Sequence, residues 1–478
     1  MPYSVSLIDL LNLYSPPSFQ FILISDVLRA WAKMATAESP ELVRRTLAHM
    51  DALASSFPTV KPDCSCHNEY FYALTESVNG RKISEIDAAK MAEHYLDKLL
   101  ESDDESVLPG QRSFSMVLSL IIRSNTPDSI SRAEAVVARL EQYHETSGRT
   151  EKTQPNTSTY NSLMSCYTRH GKNGTQRALQ LLYKMKTIGT ECNPSARPNT
   201  VTYNIVMNAF VKSRQNDASV KVEALLNEMY DLYNTTGDIR VRPNLRSLNV
   251  CLDALAKSSI DGADERILEW IYKVRNETKY GSVKIVPDSW SYTHYLQALS
   301  RSGRALMGDE AERVLNEVEH LYQTGYQGLK PNVLIYTSAI HCIALSGQHD
   351  SVERALAILD RMENLHAAGF GDVRPDLFTY NCVINTIAKS KRHNKAEAAM
   401  NTLRRMQSVA LRPGSVSFNN VINACAFSNH PDDDPEKVLK IALDVLKEAQ
   451  DGPGANWITY QGTIRVVCNF VSDAGKYF

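Results

Sequence analysis

The apolar residues of this chain recur with the period of amphipathic helices, and the helices come in pairs. Between positions 201 and 212 the apolar side chains fall on one helical face, at i, i+3, i+4 and i+7: Tyr203, Val206, Met207 and Phe210. A polar break follows, and the same spacing returns between positions 220 and 233. Pro243 then ends the pair, because proline cannot continue a helix and favours an extended residue before it. The pattern predicts a helical hairpin.

This hairpin pattern repeats along almost the whole chain. The stretch RPNTVTYNIVMNAFVKS at 197–213 has close copies at 242–258 and 374–390. Such a repeat is typical of a solenoid, in which each unit buries its apolar face against its neighbours. Counting from the residue after each proline junction predicts ten units: 21–63, 64–110, 111–156, 157–199, 200–244, 245–288, 289–332, 333–376, 377–414 and 415–456. The pattern further predicts an N-terminal segment at 1–20 and a partial eleventh repeat at 457–478, which we expect to reflect a truncated sequence or a rudimentary cap.

Composition and charge narrow the class of protein. Of 478 residues, 43% are apolar and 22% are charged, and no apolar run approaches a membrane span, so no membrane partner is expected. The nine cysteines form no framework of close pairs, which favours a reducing compartment. Because the formal net charge is only -2, any polyanion must be bound by locally arranged positive charge. The first 28 residues carry no basic side chain, and so no presequence is recognisable.

Two series of polar residues interrupt the apolar period at fixed positions. The residue after the usual aromatic position of each first helix is always small and able to hydrogen bond: Ser25, Asn68, Ser115, Asn161, Asn204, Asn249, Thr293, Thr337, Asn381 and Asn419. The second series is the last residue of each unit: Asp63, Gly110, Asn156, Asn199, Asn244, Asp288, Asn332, Asp376, Gly414 and Asn456. Interhelical contacts could explain the first series, and helix capping explains the second as well as ligand binding does. The regularity of the first series favours one polar reading position per unit.

A third series is basic. Eight residues beyond the small polar position, seven of the ten units have a cation: Lys33, Arg123, Arg169, Lys212, Lys257, Arg301 and Lys389. Each one alone could be a favourable charge at a helix C-terminus, which stabilises by about 0.3–1 kcal/mol. In register they form a basic stripe beside the row of hydrogen-bonding residues. That combination suits a phosphate backbone whose bases turn towards the protein.

Together these features resemble the pentatricopeptide repeat family. The match consists of the VTYN-like start of the first helix, the late basic residue, a methionine near the end of the second helix and the Pro-Asn/Asp junction, over about residues 21 to 470. The resemblance implies an all-α, right-handed superhelical solenoid of helix-turn-helix repeats. It also implies that the first helices line a groove for single-stranded RNA, with one base per repeat.

The resemblance further implies how each base is recognised. The small polar residue and the last residue of a repeat would read it together, as a reading pair. An apolar residue three positions before the small polar one would pack against the bases: Ile22, Val201, Trp290, Leu334, Phe378 and Val416. Four repeats depart from this apolar pattern, with Ser65, Arg112, Ser158 and Arg246 at the corresponding position.

The family's pairing rules imply a target sequence. They suggest G for Ser25 with Asp63 and for Thr337 with Asp376, and A for Ser115 with Asn156 and for Thr293 with Asn332. They suggest U for Asn249 with Asp288. Where two asparagines pair they suggest a pyrimidine, as in Asn161 with Asn199, Asn204 with Asn244 and Asn419 with Asn456. The pairs ending in Gly110 and Gly414 are unassigned. Read 5′ to 3′, the implied target is G-N-A-Y-Y-U-A-G-N-Y.

Sequence signals for catalysis, cofactors and metals are weak. The chain has no phosphate loop, dinucleotide fingerprint or HExxH helix, so we expect neither an enzyme nor a cofactor. Cys64, Cys66 and His67 lack a second ligand pair at zinc spacing. The aspartates at 432–434 could hold Mg²⁺, but a solvated loop explains them better. No metal site is expected.

Two rival functions remain open at this point. One is a peptide-binding scaffold of tetratricopeptide type, although the W-x₂-L-G-x₂-Y pattern of that family is missing. The other is the RNA-binding part of a truncated nuclease. The resemblance itself implies RNA processing or stabilisation in a mitochondrion or plastid, with RNA-processing proteins as possible partners; without it a cytoplasmic location would be expected. The oligomeric state is not indicated by the sequence.

Overall fold

Helices account for the fold of the part of the chain that the structure describes. This computed structural model describes residues 17–55, 57–102, 104–146, 153–280, 285–428, 430, 432–452 and 454–474, with the side chains of 17–20, 23, 277–280 and 472–474 excepted. The predicted N-terminal segment therefore lies outside the described residues as far as residue 16. No described helix has both the length and the apolar character needed to cross a membrane.

Twenty-one α-helices follow one another in these residues, and none of the residues described forms a strand. They are α1 (Pro17–Lys33), α2 (Ser39–Ala54), α3 (Cys64–Asn79), α4 (Glu85–Leu100), α5 (Gln111–Ser124), α6 (Ser129–Thr146), α7 (Thr157–Tyr167), α8 (Gly171–Glu191), α9 (Thr200–Ser213), α10 (Ala218–Thr236), α11 (Leu245–Lys257), α12 (Ala263–Tyr280), α13 (Ser289–Ser302), α14 (Met307–Gln323), α15 (Val333–Ser346), α16 (Ser351–Ala367), α17 (Leu377–Lys389), α18 (Lys395–Ser408), α19 (Ser415–Ala426), α20 (Pro435–Asp451) and α21 (Trp457–Ala474). This confirms the predicted all-α class of helix-turn-helix repeats.

The helices pack as hairpins within two compact units, Met1–Pro243 and Asn244–Phe478. In the first unit the odd-numbered helices α1 to α9 pack side by side in chain order. The even-numbered helices α2 to α8 each contact the odd helix before and the odd helix after. The second unit repeats this arrangement from α11 to α21. In each unit the odd helices therefore form a continuous row.

A short 3₁₀ helix precedes five of the proline junctions. These one-turn helices are Pro58–Val60, Pro194–Ala196, Ile239–Val241, Gln327–Leu329 and Gly371–Val373. Each carries one buried apolar residue two positions before the junction proline: Val60, Ala196, Val241, Leu329 and Val373. The extra residues of the longer repeats thus add a small anchored turn after the second helix and leave the first helix unchanged.

Buried tyrosines fix the orientation of the first helices. Tyr160, Tyr203, Tyr292, Tyr336 and Tyr380 are at most 2% exposed. Four of their hydroxyls donate to a glutamate of a second helix at 2.5–2.8 Å, and the Tyr292 hydroxyl accepts from Arg275 at 3.2 Å. Burial raises the pKa of Tyr203, so its hydroxyl stays protonated and can donate. Since a small polar residue follows each of these tyrosines, the anchor also fixes where that residue points.

Six of the nine cysteines and His67 are buried in the helix packing. All nine cysteines are free, as the absence of close pairs in the sequence predicts. His67 Nδ1 lies 2.8 Å from the Tyr95 hydroxyl. Burial lowers the pKa of His67 to about 4, so the ring is neutral, and burial raises the pKa of Tyr95, so its hydroxyl stays protonated and can donate to Nδ1. His67 is therefore hydrogen bonded through Nδ1 to Tyr95 of α4.

Candidate nucleic-acid interface

The last residue of each repeat is the N-cap of the next first helix. In eight repeats its side-chain oxygen accepts a backbone N–H two or three residues further on at 2.8–3.2 Å: Asp63, Asn156, Asn199, Asn244, Asp288, Asn332, Asp376 and Asn456. Gly110 and Gly414 occupy the same place with an extended backbone. Capping thus explains this series structurally. It uses only Oδ1, so a ligand would have to meet the other side-chain atom, Nδ2 of Asn or Oδ2 of Asp.

A serine or threonine hydroxyl next to the cap joins the two members of several reading pairs. The Ser291 hydroxyl lies 2.7 Å from Asn249 Oδ1 and 3.1 Å from Asp288 Oδ1. We call such a group a bridging hydroxyl. Thr379 stands in the same relation to Thr337 and Asp376, and Thr459 to Asn419 and Asn456, at distances of 2.7–3.0 Å. Ser113 bonds to Asn68 at 2.7 Å, where the cap is a glycine.

In two repeats the members of the reading pair also touch directly. Asn249 Nδ2 donates to Asp288 Oδ1 at 3.1 Å, and Asn419 Nδ2 donates to Asn456 Oδ1 at 3.3 Å. These residues are 39 and 37 positions apart in the chain. The structure therefore brings together side chains that the sequence could pair only through the family resemblance.

Several small polar residues have part of their hydrogen-bonding capacity unused. Four hydroxyls donate to a carbonyl one turn earlier in their own helix at 2.7–2.9 Å: Ser25, Ser115, Thr293 and Thr337. Their oxygens can still accept. Within the described residues, three amide oxygens are buried without a hydrogen-bond partner: those of Asn161, Asn204 and Asn381. A buried unpaired acceptor costs about 1–3 kcal/mol, so a donor supplied by a ligand would be favourable there.

One turn before the small polar residues lies a row of exposed apolar side chains, here called the packing row. Its members are between 38% and 62% exposed although each is large and apolar: Ile22, Val201, Trp290, Leu334, Phe378 and Val416. Residues at i and i+3 are neighbours on a helix surface, so each lies beside its small polar residue. Four of them, from Trp290 to Val416, belong to consecutive first helices of the second unit. Ser65, Arg112, Ser158 and Arg246 are exposed at the same position.

The basic stripe consists of two kinds of residue. Three arginines donate hydrogen bonds to the preceding repeat. Arg123 donates to Asn79 Oδ1 at 2.8 Å, Arg169 to the Ile122 carbonyl at 2.7 Å and Arg301 to the Ala256 carbonyl at 2.5 Å. They satisfy groups at the C-terminal end of the neighbouring first helix.

The lysines of the stripe differ from these arginines. Lys33, Lys212 and Lys389 are exposed, and among the described residues they have no hydrogen-bond or ion-pair partner. Lys257 is also exposed, but its ammonium lies 2.7 Å from the Asp253 carboxylate. A residue eleven positions along a helix is three turns away on the same face, roughly 16 Å. The free lysines therefore follow the packing row at the opposite end of the first helices.

Comparison with known proteins identifies the repeat. A family model described as the pentatricopeptide repeat domain matches residues 149–213, 321–390 and 365–426, and a second model, described as the PPR repeat, matches residues 201–230. The chain therefore contains pentatricopeptide repeats, matched over residues 149–230 and 321–426. This confirms the resemblance seen in the sequence. A comparison with curated protein sequences found no match to the chain.

Three solved structures are similar to this pentatricopeptide repeat protein at low identity. The repeat protein PPR10 from maize is 16% identical, over 94% of this chain and 76% of that one, with a TM-score of 0.24. PPR10 in complex with an 18-nt psaJ RNA element is 15% identical, over 99% and 89%, with a TM-score of 0.23. An engineered protein is 13% identical, over 98% of both chains, with a TM-score of 0.33.

Proposed function

We propose that this pentatricopeptide repeat protein binds single-stranded RNA selectively, with roughly one base per repeat along the row of first helices. The observation that carries the proposal is the packing row of the second unit. Trp290, Leu334, Phe378 and Val416 are half exposed on consecutive first helices, each one turn from a residue able to hydrogen bond with a base edge. Bases need both a stacking surface and edge contacts, and this row offers the two side by side.

The energetics favour binding by several repeats together. Stacking of a base on an aromatic side chain contributes about 1–3 kcal/mol, so one repeat is too weak alone while several give useful affinity. The reading pairs add discrimination, because a base whose edge leaves a buried donor or acceptor unpaired loses about 1–3 kcal/mol. The free lysines provide the phosphate contacts that the net charge of -2 does not provide globally.

Selection from a randomised single-stranded RNA library on the purified protein tests this proposal. We expect enrichment of sequences that match G-N-A-Y-Y-U-A-G-N-Y, most strongly at the U-A-G read by the sixth, seventh and eighth repeats. A protein that retains RNA without enriching any sequence would refute selective reading. A protein that retains no RNA, but captures peptides, would favour the scaffold function instead.

The two kinds of basic residue give a second expected result. We expect Lys212→Ala with Lys389→Ala to weaken RNA binding for every sequence, and to reduce the slope of log K against log salt by about 0.7 per lysine. The thermal stability of this double variant should be unchanged, because neither lysine has a hydrogen-bond or ion-pair partner in the described chain. Binding titrations at several salt concentrations measure both quantities.

Arg301→Ala is the matched comparison for these lysines. It removes a hydrogen bond to the Ala256 carbonyl, and so we expect a loss of stability on the order of 1 kcal/mol, measured by urea unfolding. An equal stability loss in the lysine variants, or an unchanged salt slope, would contradict this division of the basic stripe.

We further propose that the protein acts by occupying its RNA, in a mitochondrion or plastid, where it shields, remodels or recruits without catalysing a reaction. The location rests on the family alone. The mode of action rests on the repeats, which extend from α1 to α21 in the described residues. Cell fractionation followed by sequencing of the crosslinked RNA checks both: recovery of cytosolic messages alone would contradict the location, and cleavage of bound RNA by the pure protein would contradict the mode.

A further inference from the structure

Two interhelical loops of neighbouring repeats bring two histidines and two aspartates together. The loop between α17 and α18 carries His393, and the loop between α19 and α20 carries His430, Asp432 and Asp433. The possible ligand atoms of His393, His430 and Asp432 all lie within 4.8 Å of one another. His393 Nδ1 is 3.1 Å from Asp433 Oδ1, and the two imidazole centroids are 5.3 Å apart.

The hydrogen bonding of this cluster is incomplete. Asp433 has a side chain only 6% exposed, and its Oδ1 accepts the backbone N–H of Asn394 at 2.7 Å. Within the described chain, Asp433 Oδ2 and His393 Nδ1 are buried and form no hydrogen bond. The 3.1 Å contact between His393 and Asp433 therefore lacks hydrogen-bond geometry although the atoms are close. Two ligand atoms that face a shared cation have this relation.

The ring nitrogens of both histidines make further contacts. His393 Nε2 lies against the side-chain amide of Asn394. For His393 Nδ1 to bind zinc, Nε2 must carry the hydrogen and face the Asn394 amide oxygen. His430 Nδ1 accepts the backbone N–H of Asp432 at 3.3 Å and lies 3.5 Å from Asp432 Oδ2, so Nδ1 has the free lone pair, and zinc bound there would replace this contact. Lys395 donates to the Ser390 carbonyl at 3.2 Å.

We propose that His393, His430 and Asp432, with Asp433 as a fourth ligand, form a zinc-binding site that joins the ninth repeat to the tenth. Two imidazoles with carboxylates suit Zn²⁺, whereas Mg²⁺ prefers oxygen ligands alone. Tetrahedral zinc with bonds of about 2.0–2.1 Å separates its ligand atoms by roughly 3.3 Å. The contact of 3.1 Å between His393 and Asp433 already has about this spacing, and the other ligand atoms, which lie within 4.8 Å of one another, would move closer on zinc binding.

The site would have a structural effect on the repeats that carry Phe378 and Val416. Zinc held by both loops would tie the end of α17 to the end of α19. Because structural zinc binds the folded arrangement and not the unfolded chain, it would raise the stability of these repeats. The proposal does not depend on RNA binding.

Titration of the full chain with zinc, after removal of bound metal by a chelator, tests the proposal. We expect one zinc per chain by calorimetry and a higher melting temperature with zinc. His393→Ala and His430→Ala should each weaken zinc binding at least ~10-fold and remove the thermal shift. Both residues lie in loops, so circular dichroism should show both variants folded.

His349→Ala is the matched control. His349 is exposed in the corresponding loop one repeat earlier, 44 residues before His393, and its variant should bind zinc as the unchanged chain does. Binding that survives both ligand variants would assign zinc to thiols such as the exposed Cys192 and Cys468, and would overturn the proposal. Absence of stoichiometric binding, or saturation by magnesium in place of zinc, would overturn it equally.

Discussion

Replacement of Trp290 and Phe378 by alanine is expected to weaken RNA binding by about 1–3 kcal/mol for each residue, roughly 10- to 100-fold. Both side chains are at least half exposed, at 50% and 62%, and each follows the N-cap of its helix by two residues. Because half or more of each side chain is exposed, the loss of stability should be well below the loss of about 3–5 kcal/mol expected for a fully buried aromatic residue. Fluorescence anisotropy with a matched RNA measures the first effect and urea unfolding the second.

Two further variants separate stacking from loss of exposed surface and from unfolding. Tyr183 is 54% exposed on the second helix α8, so Tyr183→Ala should leave RNA binding unchanged. Phe418 is 2% exposed on the first helix α19, and Phe418→Ala should cost about 3–5 kcal/mol of stability. Equal losses of affinity for Tyr183→Ala and Trp290→Ala would show that the packing row has no special part in binding.

The helices could be predicted from sequence because their determinants are local. Tyr203, Val206, Met207 and Phe210 form one face through their spacing, and all four are at most 1% exposed. The cap at Asn199 is also local, because it bonds to the backbone of Thr202 three residues away. The exposure of the packing row could be predicted from the sequence less directly. An apolar residue next to a buried tyrosine can be core or surface, and the family resemblance favoured the surface.

Contacts between repeats could not be predicted in the same way. Ser291 bonds to Asn249 across 42 residues, and Arg301 bonds to the Ala256 carbonyl across 45. No short sequence spacing predicts either contact. From the sequence alone, the serine is recognisable only as a residue near a helix start, and the arginine only as one member of the basic series. A signal for the bridging hydroxyls was present, since a serine or threonine stands three residues after most caps. His393 and His430 were missed because they lie in different loops.

A reciprocal exchange of caps in the seventh and eighth repeats should reverse the order of two bases. The pairing rules assign A to Thr293 with Asn332, and G to Thr337 with Asp376. Asn332→Asp together with Asp376→Asn should therefore convert a preference for A-G into one for G-A. We expect the change in relative affinity to be about 10- to 100-fold, since each mismatch leaves a buried polar group unpaired at about 1–3 kcal/mol.

The structure supplies the reason why these exchanges should alter reading without disturbing the helices. Asn332 and Asp376 both cap through Oδ1, and either residue type can do so. The exchange alters only the second atom, which is an acceptor in aspartate and a donor in asparagine. The Watson–Crick edge of guanine presents N–H donors, which suit the carboxylate. Adenine presents the N1 acceptor, which suits the amide.

Competition between A-G and G-A versions of one RNA measures the exchange directly. Asp434→Asn makes the same chemical change at a cap of the second helix α20, away from the first-helix row, and should leave the preference for A-G unchanged. If the double variant kept that preference while still binding RNA, the caps would serve the helices alone. Base choice would then have to come from Thr293, Thr337 and their neighbours in the packing row.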